Sequence, residues 1–472
     1  MNVLAVALVR PTPEGAPITL NDLRSHLAGL LDRLAFLRWR VCAVPGRLHH
    51  PVYVEDPAFE LDRHVIGVTL PSPGDDLQLD RYLATLSERS FDRERPLWQM
   101  VLVDGLADGR QAVVTRLHHC YVDGTAALTA FAAIFHGPDR PPAAGDRDPH
   151  GSGYVVGPEP SPARLVTDAL VDQACSLRRL PRLVRASAKA LRTLRRTEEE
   201  MERAGTPPLR TPADTPRTVF AEAFEPGLVT ARVSFSREDL AEVRTRIGVS
   251  PNDVILAVVA GALRAYLEER GGLPPRPLVS AVPVALTWPD DGRRVHGNHI
   301  LGLSVRLATH IADPIERLRA ISIASSQAKS LLAAADPELW WTWLDVIPPV
   351  IAEWATRRLY ERMRADRDRV PQNLLVSHFA GPARPWGLLG TRCEEWYWYG
   401  PPNQGVGLNL SIWTYAGRAC MGIEAFASAL TDPAALVGWL GRSLDELVAA
   451  ARAYGPAGVA GGPGRPDGVA LA

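Results

Sequence analysis

Between Gln111 and His119 apolar and polar positions alternate as a β-strand requires. Val113, Thr115, Leu117 and His119 then share one face, and Val114, Arg116 and His118 the other. On this reading the strand delivers one histidine to each side of a sheet at its C-terminal end. Asp123-Gly124 makes a turn, and Asp123 or Thr125 can cap a helix that begins near Ala126. Upstream, Val3 to Val9 is an apolar strand, and Leu23, Leu27, Leu30, Leu31 and Leu34 follow a helical period behind Asn21 or Asp22. Phe36–Cys42 and His50–Asp56 read as strands and Leu79–Arg89 as a helix. Trp98-Gln-Met-Val-Leu-Val-Asp-Gly pairs with Gln111–His119 across a Gly/Asp turn.

The second half repeats this interleaving. A strand at Val229–Phe235 precedes a helix at Arg237–Arg246. Ser250 as N-cap, Pro251 at the first helical position and Asp253 two residues later mark a strong helix start. That helix runs through Arg264 and is apolar almost all round, so it is expected to be buried. Strands follow at Leu278–Val284, Ile300–Leu307 and Leu374–Phe379. A hairpin of Leu408–Tyr415 and Met421–Phe426 turns at Ala416-Gly417, and a helix from Pro433 to Arg452 closes the folded part. Interleaved strands and helices imply an α/β protein with mixed layers.

Length and composition set the organisation. A chain of 472 residues is too long for one ordinary domain. Pro, Gly, Asp and Ser crowd residues 137–160, and the last 17 residues are Gly/Pro/Ala-rich. The expected division is 1–150 as an N-terminal half, 151–215 as a linker with a basic crossover helix, 216–455 as a C-terminal half, and 456–472 as a disordered tail. The helix over 163–203 carries Arg178, Arg179, Arg182, Arg185, Lys189, Arg192, Arg195 and Arg196. It reads either as a solvated crossover, matched by Glu198, Glu199 and Glu200, or as a segment lying on an anionic lipid surface. Trp340, Trp341, Trp343 and Trp354 form an aromatic helix, expected in the core or else at a pocket or lipid surface.

A net charge of −1 argues against nucleic acid as a partner. Only Lys189 and Lys329 are lysines among the 52 basic residues. Five scattered cysteines without a CxxC pair suggest neither a disulfide framework nor a zinc site, and fit a reducing cytosol. Val3–Val9 lacks the flanks of a signal peptide, and Leu339–Ala352 is broken by Asp345 and Pro348-Pro349. Neither spans a bilayer as a simple helix, which leaves at most a peripheral contact with the inner face of the membrane or with lipid bodies.

A histidine at a strand end with a carboxylate nearby is a place to look for a general base. Two histidines and an aspartate can also bind a divalent ion, but adjacent strand residues point to opposite faces, so no metal is expected. No Gly-x-Ser-x-Gly elbow supports a serine nucleophile. A buried histidine satisfied by hydrogen bonds is the plain structural alternative.

His118-His119-Cys120-Tyr121-Val122-Asp123-Gly124 resembles the HHxxxDG signature of coenzyme-A-dependent acyltransferases. Its surroundings are similar to the bacterial wax ester synthase/diacylglycerol acyltransferase family. Phe91-Asp-Arg-Glu-Arg-Pro-Leu-Trp98 resembles that family's D-R-x-R-P-L-W segment, and Pro251–Arg264 its N-D-V-x-L-A-x-x-A-G-A-L-R helix. Pro283-Val284, Gly297-Asn298, Asn373–Pro382 and Gly407-Leu408-Asn409 follow in the family's order, so the resemblance runs from about Leu20 to Leu447.

The resemblance implies two chloramphenicol-acetyltransferase-like domains, each a mixed β-sheet with flanking helices, and an active-site tunnel at their interface. It implies His119 as the base that takes a proton from an acceptor hydroxyl attacking an acyl-CoA thioester. Acyl-CoA is then a co-substrate, and no cofactor is expected. His118 is given a packing role and Asp123 an orienting one. Asn252, in the first turn of a capped helix, either helps hold the oxyanion or merely caps, with Gly124 on the acceptor side. Asn298 is expected to anchor a loop near the tunnel. Ser377 either contacts substrate or ends its strand, and His378 lies on the acceptor side.

Departures cluster in the second half. Pro-Val-Ser-Leu-Arg becomes Pro283-Val-Ala-Leu-Thr287, which removes an arginine expected to pair with Asp123 and leaves Arg116 or Arg293 as substitutes. Ser-Asn-Val-Pro-Gly-Pro becomes Ser377-His-Phe-Ala-Gly-Pro382. The acceptor expected is a fatty alcohol or diacylglycerol. The alternatives are a specialised-metabolite acceptor or a catalytically silent lipid-surface protein.

Overall fold

The structure is a computed structural model that describes residues 2–13, 15–135, 159–211, 213–222, 227–285, 296–365, 370–403 and 405–454. Its strands are β1 (Asn2–Pro11), β2 (Trp39–Cys42), β3 (Val52–Glu55), β4 (Val65–Thr69), β5 (Trp98–Asp104), β6 (Gln111–His118) and β7 (Leu228–Ser236), followed by β8 (Val279–Ala285), β9 (Ile300–Arg306), β10 (Leu374–Ala380), β11 (Gly387–Leu388), β12 (Thr391–Tyr399), β13 (Leu408–Tyr415) and β14 (Arg418–Phe426). They form two six-stranded mixed sheets and a small hairpin of β2 and β3. The first sheet has the order β11-β12-β1-β6-β5-β4, and the second β7-β14-β13-β10-β8-β9.

β1 sits inside the first sheet, antiparallel to both β6 and β12. Val3 through Val9 are buried on both faces, which is why the segment is an unbroken apolar run rather than an alternating one. β12 comes from the C-terminal half and crosses into the N-terminal sheet, so a cut at 215/216 does not separate the sheets. Its Trp396, Tyr397, Trp398 and Tyr399 are all buried. Over that buried end no polar position is left to mark a period.

The helix Pro251–Glu269 starts as its sequence requires. Ser250 and Asp253 form a reciprocal capping box, and the helix is buried from Asp253 through Leu263. Gly261 lets the helix Pro433–Ala453 approach closely, because a Cβ there would lie 2.2 Å from Ser443 Oγ. The basic helix extends unbroken over Pro162–Arg203, with Pro181 inside it, and buries only Leu165, Ala169 and Leu183. Among the described residues no single helix is long and apolar enough to cross a membrane. Nearly all of the expected linker at 137–160 and the tail at 456–472 lie outside the described residues.

The tryptophan helix departs from the core expectation. Trp343 Nε1 donates to Ser187 Oγ of the basic helix at 2.9 Å, and Trp341 meets the ring of His299 edge-on. Trp340 and Trp354 are 58% and 61% exposed. Pro337–Val346 packs one side on the basic helix, while Trp354 lies on the next helix, Pro349–Ala365.

Candidate active site

The strand β6 ends at His118, one residue earlier than the pleat pattern suggests, and His119 begins the turn that follows. Strand alternation therefore no longer separates the two histidines, and both line one cavity of about 620 Å³. The turn is held from several directions. Leu97 O accepts from His118 N at 2.9 Å, and Leu97 N donates to the Tyr121 hydroxyl at 3.1 Å. Tyr121 in turn donates to Trp39 O, and Tyr53 donates to Cys120 O at 3.0 Å. Trp98 Nε1 donates to Leu37 O at 2.6 Å. The Pro96-Leu97-Trp98 segment thus acts as a brace for the histidine turn, a role that its resemblance alone left open.

The C-terminal half closes the turn from the other side. Asp123 N donates to Gly297 O at 3.0 Å, and Gly297 N donates to Tyr121 O at 2.5 Å, so the two segments join as a short parallel bridge. Asp123 is only 2% exposed. Its Oδ1 accepts from Ala126 N at 3.0 Å and caps the helix Gly124–Ile134, while its Oδ2 accepts from His299 N at 2.8 Å. Arg116 stacks its guanidinium 3.9 Å over the Phe91 ring. Thr287 and Arg293 lie outside the described residues.

Asn298 is the residue whose part sequence reasoning missed. Its Nδ2 lies 2.9 Å from His119 Nδ1 and donates to His119 O at 2.9 Å. Asn298 therefore grips the histidine itself, not merely its loop. No local signal announces this, because 179 residues separate the pair. Burial lowers the His119 pKa below its ordinary value, opposed by the backbone carbonyls of His119 and Val122 and by the charge of Asp123. The imidazole is therefore neutral at pH 7. Burial pushes His118 down to about 4, and its Nδ1 accepts from Cys120 N at 3.3 Å.

The cavity lies between the halves. Gly124 and Leu128 contribute from the N-terminal side, and β8, β9, β10 and β13 from the C-terminal side. Asn252 lines it beside Ser250 and Pro251 at the start of the buried helix, where the helix dipole favours negative charge. Ser377 lines it and donates to Ser411 Oγ at 3.0 Å, which passes its own proton to Asn409 Oδ1 at 3.0 Å. His378 also lines the wall. Burial pushes its pKa down to about 4, and its Nε2 has no hydrogen-bond partner among the described residues. A Cβ on Gly124 would stand 3.5 Å from the Phe379 ring, so any side chain there narrows the passage. Every site residue expected from the sequence therefore reaches one cavity. A neutral imidazole in a largely apolar cavity can take a proton from a hydroxyl and return it to a leaving group. No cluster of three or more metal-ligating side chains occurs among the described residues.

Comparison with known proteins agrees with this architecture. Residues 1–255 match the wax ester synthase/diacylglycerol acyltransferase catalytic domain, and residues 296–448 match the WS/DGAT C-terminal domain. A Mycobacterium tuberculosis protein named as a diacylglycerol O-acyltransferase is 34% identical over 439 residues, covering 91% of this chain and 88% of the relative. A second so named from the same species is 29% identical over 433 residues, covering 92% and 88%. Among solved structures, the wax ester synthase/diacylglycerol acyltransferase from Marinobacter aquaeolei VT8 superposes with a TM-score of 0.64 at 24% identity, covering 96% and 95% of the two chains. The first condensation domain of the calcium-dependent antibiotic synthetase superposes with a TM-score of 0.54 at 16% identity, covering 97% and 92%. These two likenesses establish the shared two-domain fold. Together with the family matches over both halves, they make this chain an acyltransferase belonging to the wax ester synthase/diacylglycerol acyltransferase family.

Proposed function

We propose that this chain transfers an acyl group from an acyl-CoA thioester to the hydroxyl of a lipid acceptor, a diacylglycerol or a long-chain alcohol, with His119 as general base. The reading rests on one observation above the others: a neutral, braced imidazole on the wall of a largely apolar cavity closed by both halves. His119 takes the hydroxyl proton as the oxygen attacks the thioester carbonyl carbon. The C–S bond of the tetrahedral intermediate then breaks, and the departing thiolate takes the proton from the imidazolium. No covalent acyl-enzyme and no cofactor are required. Asn252 is suited to meet the oxyanion, since it lines the cavity where a capped helix favours negative charge. Asp123 holds the turn and the helix start.

A lipid acceptor suits the outside of the molecule as well. Trp340, Val350, Ile351, Trp354 and Leu359 are exposed on successive helices together with Arg357 and Arg358, which pair with Glu353 and Glu361. Exposed aromatic and aliphatic side chains flanked by ion pairs suit the interface of a bilayer or lipid droplet. The testing experiment follows thiol release while purified protein is offered acyl-CoAs paired with long-chain alcohols, diacylglycerol and polar hydroxyl compounds. Turnover with the lipid acceptors is expected. Turnover with polar acceptors alone transfers the assignment to a specialised metabolite, and no thiol release with any pair rejects the transfer reaction.

A further inference from the structure

The helix Pro314–Ala335 presents two side chains to the cavity that the acyl-transfer step leaves unused, Ser325 and Lys329. They are four residues apart, one turn along the same face. Ser325 is 3% exposed, and its Oγ has no hydrogen-bond partner among the described residues. A buried hydroxyl without a partner, facing a cavity, is a polar contact awaiting a ligand. Lys329 is half-buried and, among the described residues, is the one Lys or Arg lining the cavity. It takes part in no ion pair there. The wall around the pair is neutral, with Leu303 and Val305 of β9 also lining it. Asp123, the other charged side chain on the wall, is engaged by the N–H groups of Ala126 and His299. The cavity therefore offers one turn of helix with a hydroxyl inside and an ammonium beyond it. That order suits a ligand arm with an amide along its length and an anion at its end.

We infer that the Ser325–Lys329 face holds the coenzyme arm of the donor, Ser325 Oγ bonding an amide of the pantetheine chain and Lys329 pairing with a phosphate. The assignment rests on the reading that the donor is an acyl-CoA. An ammonium against a phosphate is a charge-assisted pair, and removing it weakens binding about tenfold. The hydroxyl contributes less, about threefold, and to any ligand that carries the pantetheine amides.

The test is calorimetric titration of the full-length protein with free coenzyme A and, separately, with pantetheine, which lacks the phosphates. K329A is expected to weaken coenzyme A about tenfold more than it weakens pantetheine, and K329R to restore most of the loss. S325A is expected to weaken both ligands by a similar factor. The wild-type affinity for coenzyme A should fall as salt rises, and the K329A affinity should fall less steeply. Equal losses of both ligands in K329A, or wild-type affinity in that variant, would overturn the inference, as would failure of the wild type to bind coenzyme A. The underlying reaction fails separately. Lys329-dependent coenzyme binding without thiol release from any pair rejects acyl transfer and keeps the subsite. Normal acyl-CoA turnover with an unchanged KM in K329A rejects the subsite alone.

Discussion

At the scale of the residue, the site comes down to how one imidazole is kept neutral and aimed. Burial does the first, so the acid limb of kcat/KM should lie below pH 6.5, the ordinary histidine value. The sign follows from the base role: the active form is unprotonated, so activity falls as pH drops through the His119 pKa and stays level above it. A limb centred above pH 7 would contradict this. His119→Ala should lower kcat by about a thousandfold or more with an unchanged circular dichroism spectrum. Aiming is the task of Asn298, whose amide meets both the ring and the carbonyl of His119. Asn298→Ala should lower kcat about tenfold to a hundredfold, with little change in KM and a shifted acid limb, because the ring loses a partner at Nδ1. A loss confined to KM would assign Asn298 to substrate binding instead.

At the scale of the element, Asp123 separates two roles that look alike in a motif. One oxygen caps the helix Gly124–Ile134, and the other takes the His299 N–H from the opposite half. Asp123→Ala removes both, at a cost of roughly 2–4 kcal/mol when a lost cap is added to a buried N–H left unpaired. Asp123→Asn keeps one acceptor oxygen, so its melting temperature should fall by less and its activity by about tenfold or less. A relay aspartate behaves differently, since the equivalent change in a serine-hydrolase triad costs about 10,000-fold at intact geometry. Thermal melts and kcat on the two variants decide between the roles.

At the scale of the whole molecule, the halves are bound by polar groups that their junction buries. Ser87 Oγ, on the helix Asp76–Glu88, donates to Glu424 Oε1 on β14 at 2.6 Å. Arg232 on β7 pairs with Asp80 and Asp76 of that helix. Burial raises the Glu424 pKa from 4.5 to about 8, so the folded protein keeps this carboxyl protonated. The unfolded chain releases the proton near pH 4.5. Stability from this group is therefore complete below that value and is lost as pH rises towards 8. Glu424→Gln should raise the melting temperature by about 5 °C at pH 8 and leave it unchanged at pH 4. A gain of equal size at both pH values would mean that ionisation is not the cause.

The halves also explain which parts of the protein could be read from its residues. The histidine turn, the caps at Ser250 and Asp123, the buried helix Pro251–Glu269 and most strands are local matters. Their dihedral preferences, cap oxygens and apolar periods lie within a few neighbouring residues, so the order of letters determines them. The family signature has the same local character. β12 escaped, because its buried end, Trp396 to Tyr399, has no polar alternation, and only its aromatic content hints at extended structure. The exposure of Trp340 and Trp354 escaped too, since a helix shows its apolar side but not whether anything covers it. Contacts that depend on two distant segments arriving together could not be read at all. Asn298 against His119, Gly297 against Tyr121, and Ser325 with Lys329 on one cavity wall arise only when the second sheet docks on the first. By itself the sequence determined the candidate histidine, the turn that carries it and the kind of layers around it. Tertiary structure alone decided what grips that base and which side chains share its cavity, because packing, not chain proximity, makes those neighbours.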